Sequence, residues 1–251
     1  FTGKEYAGYY IKVAADQQDT AFDVLSDMML HATFDPKEID KERGVILEEY
    51  NMYQDTPMYQ TGWDFERLVL GDQPLGWDQI GTKEVIKSVQ QKDFQEFKDS
   101  LYTPDNTVIV VAGNVKHEDV LDKVSTYFDF PEVKRTREWD AYKDLGGTEK
   151  LIMQNKKTEQ GHIVIGFPGY HSNHDDYYAQ KVLAILRGGT MSSRMFLSVR
   201  EAQGLCYYVH TSTDDYSDCG LISTRAGVDL TRTEDAITAI IREYQKVTTD
   251  P

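Results

Sequence analysis

The chain has 251 residues, of which 40% are hydrophobic and 12% aromatic, enough to bury a core and too many for an intrinsically disordered chain. Lys and Arg number 27 against 42 Asp and Glu, a net charge of −15. That balance argues against a nucleic-acid binder or a protein drawn to anionic lipid, and no apolar run approaches the ~18 residues of a membrane span.

From the N-terminus, Tyr9 to Val13 alternate as a strand, and Phe22, Leu25, Met28 and Met29 recur at helical spacing. Asp35 before Pro36, with Glu38 following, is a helix start, and Thr56-Pro57 is its stop near Asp55. A helix over Tyr59 to Leu70 closes at Gly71, and Pro74-Leu75-Gly76 is a loop. Thr82 caps a short helix through Val89, Asp93 to Leu101 forms another, and Thr107 to Ala112 is a buried strand ending at Gly113-Asn114. His117 to Phe128 is an amphipathic helix. The charged stretch that follows reads as a linker over 136–150.

Beyond it come strands at Leu151 to Gln154 and Ile163 to Phe167. Next is a helix from Asp175 or Asp176 to Leu186, and another from Ser192 or Ser193 with Met195, Phe196 and Val199 on one face. Strands Cys206 to Thr211 and Gly220 to Arg225 precede a helix carrying Ala236, Ile237, Ile240 and Ile241. Strands mixed with helix pairs define an α+β class: a mostly antiparallel sheet with helices packed on one face.

The two ends match without a gap at an offset of 212: Gly8 falls on Gly220, Ala14 on Ala226, Leu25 on Ile237 and Met28 on Ile240. This pattern predicts a duplicated unit. The first repeat then spans 1–135, without its N-terminal part, and the front half of the second spans 151–251. About sixty residues of the first repeat are expected ahead of Phe1 on that logic.

The most informative helix is Pro36 to Asp55. With Glu42 at 0° and about 100° per residue, Ile46 lies at about 40°, Tyr50 at about 80° and Glu49 at about 340°, while Glu48 lies at about 240°. Glu42 and Glu49 thus stack inside the apolar arc, and Glu48 faces water. A buried carboxylate needs a cation, a metal or donors. Either both side chains reach solvent or an Arg at the arc edge, or Glu49 ligates a cation with Glu42 supporting the ligand set. His171 and His174 stand in a loop sequence, which suits a turn better than a metal site. Two cysteines are too few for a disulfide framework, and Cys206, within a strand, reads as a buried inert thiol. Arg200 ends a helix, Gly204 can close it, and Tyr207 enters the next strand; the pair either caps and packs or converges on one carbonyl.

In order along the chain, Phe1 to Tyr6, Glu42 to Glu49, Pro74-Leu75-Gly76, Val111 to Asn114, Met191 to Phe196 and Arg200 to Tyr207 resemble the pitrilysin/insulinase family of zinc peptidases, in its mitochondrial-processing-peptidase-like branch. The resemblance implies a zinc endopeptidase for short or unfolded peptides with a duplicated α+β fold. It puts a zinc ligand on Glu49, a supporting carboxylate on Glu42 and substrate-anchoring groups on Arg200 and Tyr207. It implies a cleft-bordering strand at Phe1, whose ring lines a subsite. The family's His-x-x-Glu-His motif is absent from this sequence, so the chain alone is expected to be inactive and metal-free. The other class of reading is a non-catalytic homologous subunit or scaffold. A peptide substrate and a homodimeric or heterodimeric partner are expected, no nucleic acid or membrane, and the cytoplasm as the default compartment.

Overall fold

The computed structural model describes residues 1–145 and 151–249; the end of the expected linker, 146–150, lies outside them. The chain packs as two units, Phe1–Glu49 with Gly81–Asp140 and Tyr50–Ile80 with Ala141–Pro251. Mixed helix and antiparallel sheet bear out the α+β class.

The helices form where local signals put them. Helices α1 (Gln18–Leu30) and α2 (Pro36–Asp55) are joined by a short turn, and the Asp35 carboxylate accepts from Lys37 N at 2.8 Å. That bond satisfies one of the donors a helix start leaves unpaired. Helix α3 (Pro57–Leu70) closes at Gly71 with φ 77°. Thr82 caps α4 (Lys83–Ser88) by accepting from Val85 N. Helices α5 (Gln91–Leu101) and α6 (His117–Tyr127) follow in the first unit, whereas α3 belongs to the second.

Three expected strands do not form a ladder. Tyr9 to Val13, Thr107 to Ala112 and Leu151 to Gln154 have no strand partner among the described residues, where the first unit's one bridge is Thr2 with Ala7. Val108 is 86% exposed and Val110 82%, while Thr107, Ile109 and Val111 are half-buried. The second run therefore keeps strand-like alternation with one side open. Apolar alternation states which side chains favour burial; a strand also needs a neighbour to take its N–H and C=O groups.

The second unit has that neighbour. Strands β1 (Gly161–Gly169), β2 (Cys206–Asp215) and β3 (Gly220–Val228) form an antiparallel sheet in the order β1-β3-β2. Every residue of β3 except Arg225 is buried. Ala226 and Val228 pack with Ala236, Ala239 and Ile240 of α8 (Thr233–Thr249), together with Met195, Val199 and Val209. On the opposite face Leu221 packs with Phe65 and Leu70 of α3. Helix α7 (Tyr177–Ala184) runs on into a π-wound turn, Ile185–Gly189, and a second such turn spans Phe196–Glu201. Of the offset pair, α1 and α8 correspond as helices, whereas β3's counterpart in the first unit is the unpaired run near Tyr9.

One buried carboxylate supplies a pH test. The Asp214 Oδ2 lies 3.8 Å from Arg225 Nη2 and makes no hydrogen bond. Burial pushes this carboxyl above its ordinary range; Arg225 and Lys181 oppose the shift, and Glu66 and Asp215 add to it. A raised folded-state value means that the unfolded chain releases this proton first. Asp214 therefore favours folding at pH below the ordinary carboxyl range, and that contribution is lost as pH rises through the raised value. We expect Asp214→Asn to match the parent's stability in acid and exceed it at pH 7 in urea unfolding. A variant less stable at pH 7 would mean that the Arg225 attraction outweighs desolvation.

Candidate functional site

The predicted residues of the first unit lie on α2 and at the chain start. No residue of α2 is fully buried. Glu42 and Glu48 are exposed and Glu49 is half-buried, while Ile39, Ile46, Tyr50 and Tyr53 are also half-buried. The helical-wheel order of Glu48 and Glu49 agrees with these exposures. The expected apolar arc is not sealed: Val45 is 58% exposed, and Glu42 stands in water. Among the described residues, the one sheet is that of β1, β2 and β3 in the second unit.

Sequence reasoning missed Arg43. Its guanidinium donates to the carbonyls of Ile86 and Val89 (2.8 Å to the latter), tying α2 to the C-terminal end of α4. Those carbonyls are among the acceptors that a helix end leaves unpaired. The matched run Glu42 to Glu49 thus contains a structural fastener one residue from a candidate functional carboxylate.

Phe1 does not begin a strand. Its amino group donates to Gly8 O at 2.9 Å, Gly8 N returns a bond to Phe1 O at 3.0 Å, and Gly3 N donates to Tyr6 O at 2.7 Å. Residues 1–8 fold back on themselves, with the Phe1 ring 65% exposed beside Tyr6 and Tyr10.

In the second unit, the π-wound turn and the start of β2 carry Arg200 and Tyr207. Gly204, at φ 57°, ends the turn and donates to Arg200 O at 2.9 Å; a side chain at that backbone geometry would be strained. Leu205 N donates to Val199 O at 3.0 Å. A bulge then falls at Tyr207: Cys206 opposes Val228 and Tyr208 opposes Gly227, leaving Tyr207 without a cross-strand partner. Bulges re-aim side chains, and Tyr207 is 59% exposed. After the bulge, the Tyr208 ring covers Gly227, where an added Cβ would come within 2.3 Å of it, and its hydroxyl meets His162 Nδ1 at 3.0 Å.

Arg200 lies with its guanidinium carbon 4.6 Å from the Phe196 ring centroid and with Nη1 3.9 Å from Glu201. Cys206 is buried, and burial pushes its thiol up to about 11 despite the opposing field of Arg200. It is protonated at neutral pH and a poor nucleophile or ligand, as expected of an inert thiol. His171 and His174 occupy a turn: their Nδ1 atoms accept from Asn173 N and Asp176 N, and Tyr170 stacks on His174 at 3.9 Å.

Among the described residues, no group of three or more His, Cys, Asp or Glu side chains could hold a metal ion. Catalytic zinc takes three protein ligands, so the donors present do not fit a complete zinc site, and Glu49 supplies one donor at most. No helix among the described residues is long and apolar enough to cross a membrane.

The fold is shared with several solved structures. A protease from Helicobacter pylori superposes with a TM-score of 0.84 at 19% identity, covering 94% of this chain and 58% of that one. A chain of complex III2 from Candida albicans superposes at 0.80 and 16% identity, covering 93% of this chain and 58% of its own. The family models described as insulinase (peptidase family M16) and as the peptidase M16 inactive domain match residues 1–68 and 88–251. The chain belongs to the insulinase (M16) peptidase family, as the resemblance implied. The uncharacterized zinc protease YmxG of Bacillus subtilis is 38% identical over 227 residues, covering 90% of this chain and 55% of that protein. The chain thus spans about half the length of the curated relatives it matches.

Proposed function

We propose that the protein carrying this chain is a zinc-dependent endopeptidase acting on short or unfolded peptides. Glu49 is a metal ligand and Glu42 supports it. Arg200 and Tyr207 hold the substrate backbone, and the exposed Phe1 ring lines a subsite. Membership of a peptidase family whose relatives are named zinc proteases supports the class. The observation that carries the site is the bulge at Tyr207, which leaves this exposed residue without a cross-strand partner just after the Arg200 turn. A guanidinium and a phenol are both donors, suited to a peptide carbonyl. Zinc, when bound, would activate the water that hydrolyses the peptide; the residues of this chain bind and orient.

The second reading is a non-catalytic homologous subunit that pairs with a catalytic one. Its support is that residues 88–251 match the family's inactive domain. A homodimer or heterodimer fits either reading, as does the likeness to a chain of a multisubunit complex.

Zinc content and peptide cleavage of the full-length protein separate the two. If it is an enzyme, Arg200→Ala is expected to raise KM by about tenfold to a hundredfold, as loss of a charged hydrogen bond implies, with zinc unchanged. Loss of zinc in that variant would show Arg200 to be misassigned. A full-length protein that neither binds zinc nor cleaves peptide supports the subunit reading.

A further inference from the structure

We propose that Phe196 is a positioning residue for Arg200: its ring fixes the guanidinium in the orientation from which it meets a substrate carbonyl. The proposal rests on the reading of Arg200 as a substrate-holding group.

Arginine is rich in rotamers, and an exposed one must lose much of that freedom on binding. Arg200 is 40% exposed, yet one side of it is restrained. Phe196 stands one turn earlier, four residues away, and the guanidinium carbon lies 4.6 Å from its ring centroid. Phe196 is itself half-buried against the core cluster that contains Met195 and Val199, both fully buried. The ring is therefore a fixed platform, not a second mobile side chain. The π winding of Phe196–Glu201, with Ala202 N donating to Leu197 O at 2.9 Å, is the irregularity found at functional turns.

A guanidinium stacked on a ring engages the ring with its own face and leaves the N–H donors along its edge. Stacking and substrate binding are therefore compatible. Glu201, 3.9 Å from Nη1 and exposed, is a weak surface contact that a substrate can displace. Restraint in advance of binding lowers the ordering cost, which is how a residue that never touches substrate improves affinity.

The test uses the full-length, zinc-loaded enzyme and an unstructured fluorogenic peptide. Phe196→Leu keeps apolar volume and removes the ring. It is expected to raise KM by about threefold to tenfold, with kcat and zinc content held. Phe196→Tyr should return most of that loss. In an Arg200→Ala background, Phe196→Leu should add nothing. Phe196→Met serves as a second ringless variant if leucine lowers the melting temperature. An equal loss in the Tyr variant, or a full additional loss in the Arg200→Ala background, overturns the proposal in favour of a packing role. A raised KM in Arg200→Ala with none in either ringless variant overturns positioning alone. An unchanged KM in Arg200→Ala overturns both this and the reading beneath it.

Discussion

Replacing Glu49 with Gln in the full-length protein is expected to abolish zinc retention and, with it, peptide cleavage. The amide keeps the size and the half-buried place of the side chain on α2 but removes the charge that a divalent cation requires from a carboxylate ligand. Cleavage should fall by at least about a thousandfold, beyond the ~10–100-fold typical when a supporting group is lost. That smaller effect is the expectation for Glu42→Gln. Glu48→Gln is the control: its carboxylate is adjacent in sequence but exposed on the wet face of α2, so zinc and activity should both hold. Zinc measured by emission spectroscopy on dialysed protein decides the matter. Unchanged zinc in Glu49→Gln removes Glu49 from the ligand set, and loss in Glu48→Gln transfers the role.

The helices were legible because their signals are local. Asp35-Pro36, Thr82 and the Gly71 stop act within one turn of the elements they bound. Strands were legible only where partners exist. The run at Gly220, which carries Ser223, Thr224 and Arg225, became the centre of a sheet, while the more apolar run at Thr107 has no strand partner among the described residues. Apolar content within the segments would rank them the other way, because the ladder belongs to the pair. The same logic explains the bulge at Tyr207. The sequence placed that tyrosine in a strand, but the register that frees it from pairing depends on β3.

The site was legible in part for similar reasons. Helical angles ranked Glu49 ahead of Glu48 correctly by exposure, since the wheel is intrinsic to α2. Whether the arc was sealed depended on what packs there, and Glu42 proved exposed. Arg43 could not be read at all, because its acceptors are the carbonyls of Ile86 and Val89, some forty residues on. The Phe196 and Arg200 pair did have a signal, an aromatic and a cation four residues apart on one helix face.

Ile240 and Ile241 give the sharpest test of how α8 is seated. Periodicity assigned both to the apolar face, but only one reaches the core. Ile240 is fully buried among Ala226, Val228 and Val199, whereas Ile241 is 40% exposed. Truncating Ile240 to Ala removes transfer energy and leaves a void that neighbouring β3 cannot collapse to fill, since its own residues are held by ladders on both sides. The expected cost is about 2–5 kcal/mol. Against a typical total of about 5–15 kcal/mol, that is a large share, and it should lower the melting temperature by roughly 4–20 °C. Ile241→Ala forfeits only partial burial and should cost less than about 1 kcal/mol. Urea unfolding of the two variants reads the difference directly. Equal losses would mean that α8 is rotated from the orientation that places Ile240, Ala236 and Ala239 on the sheet.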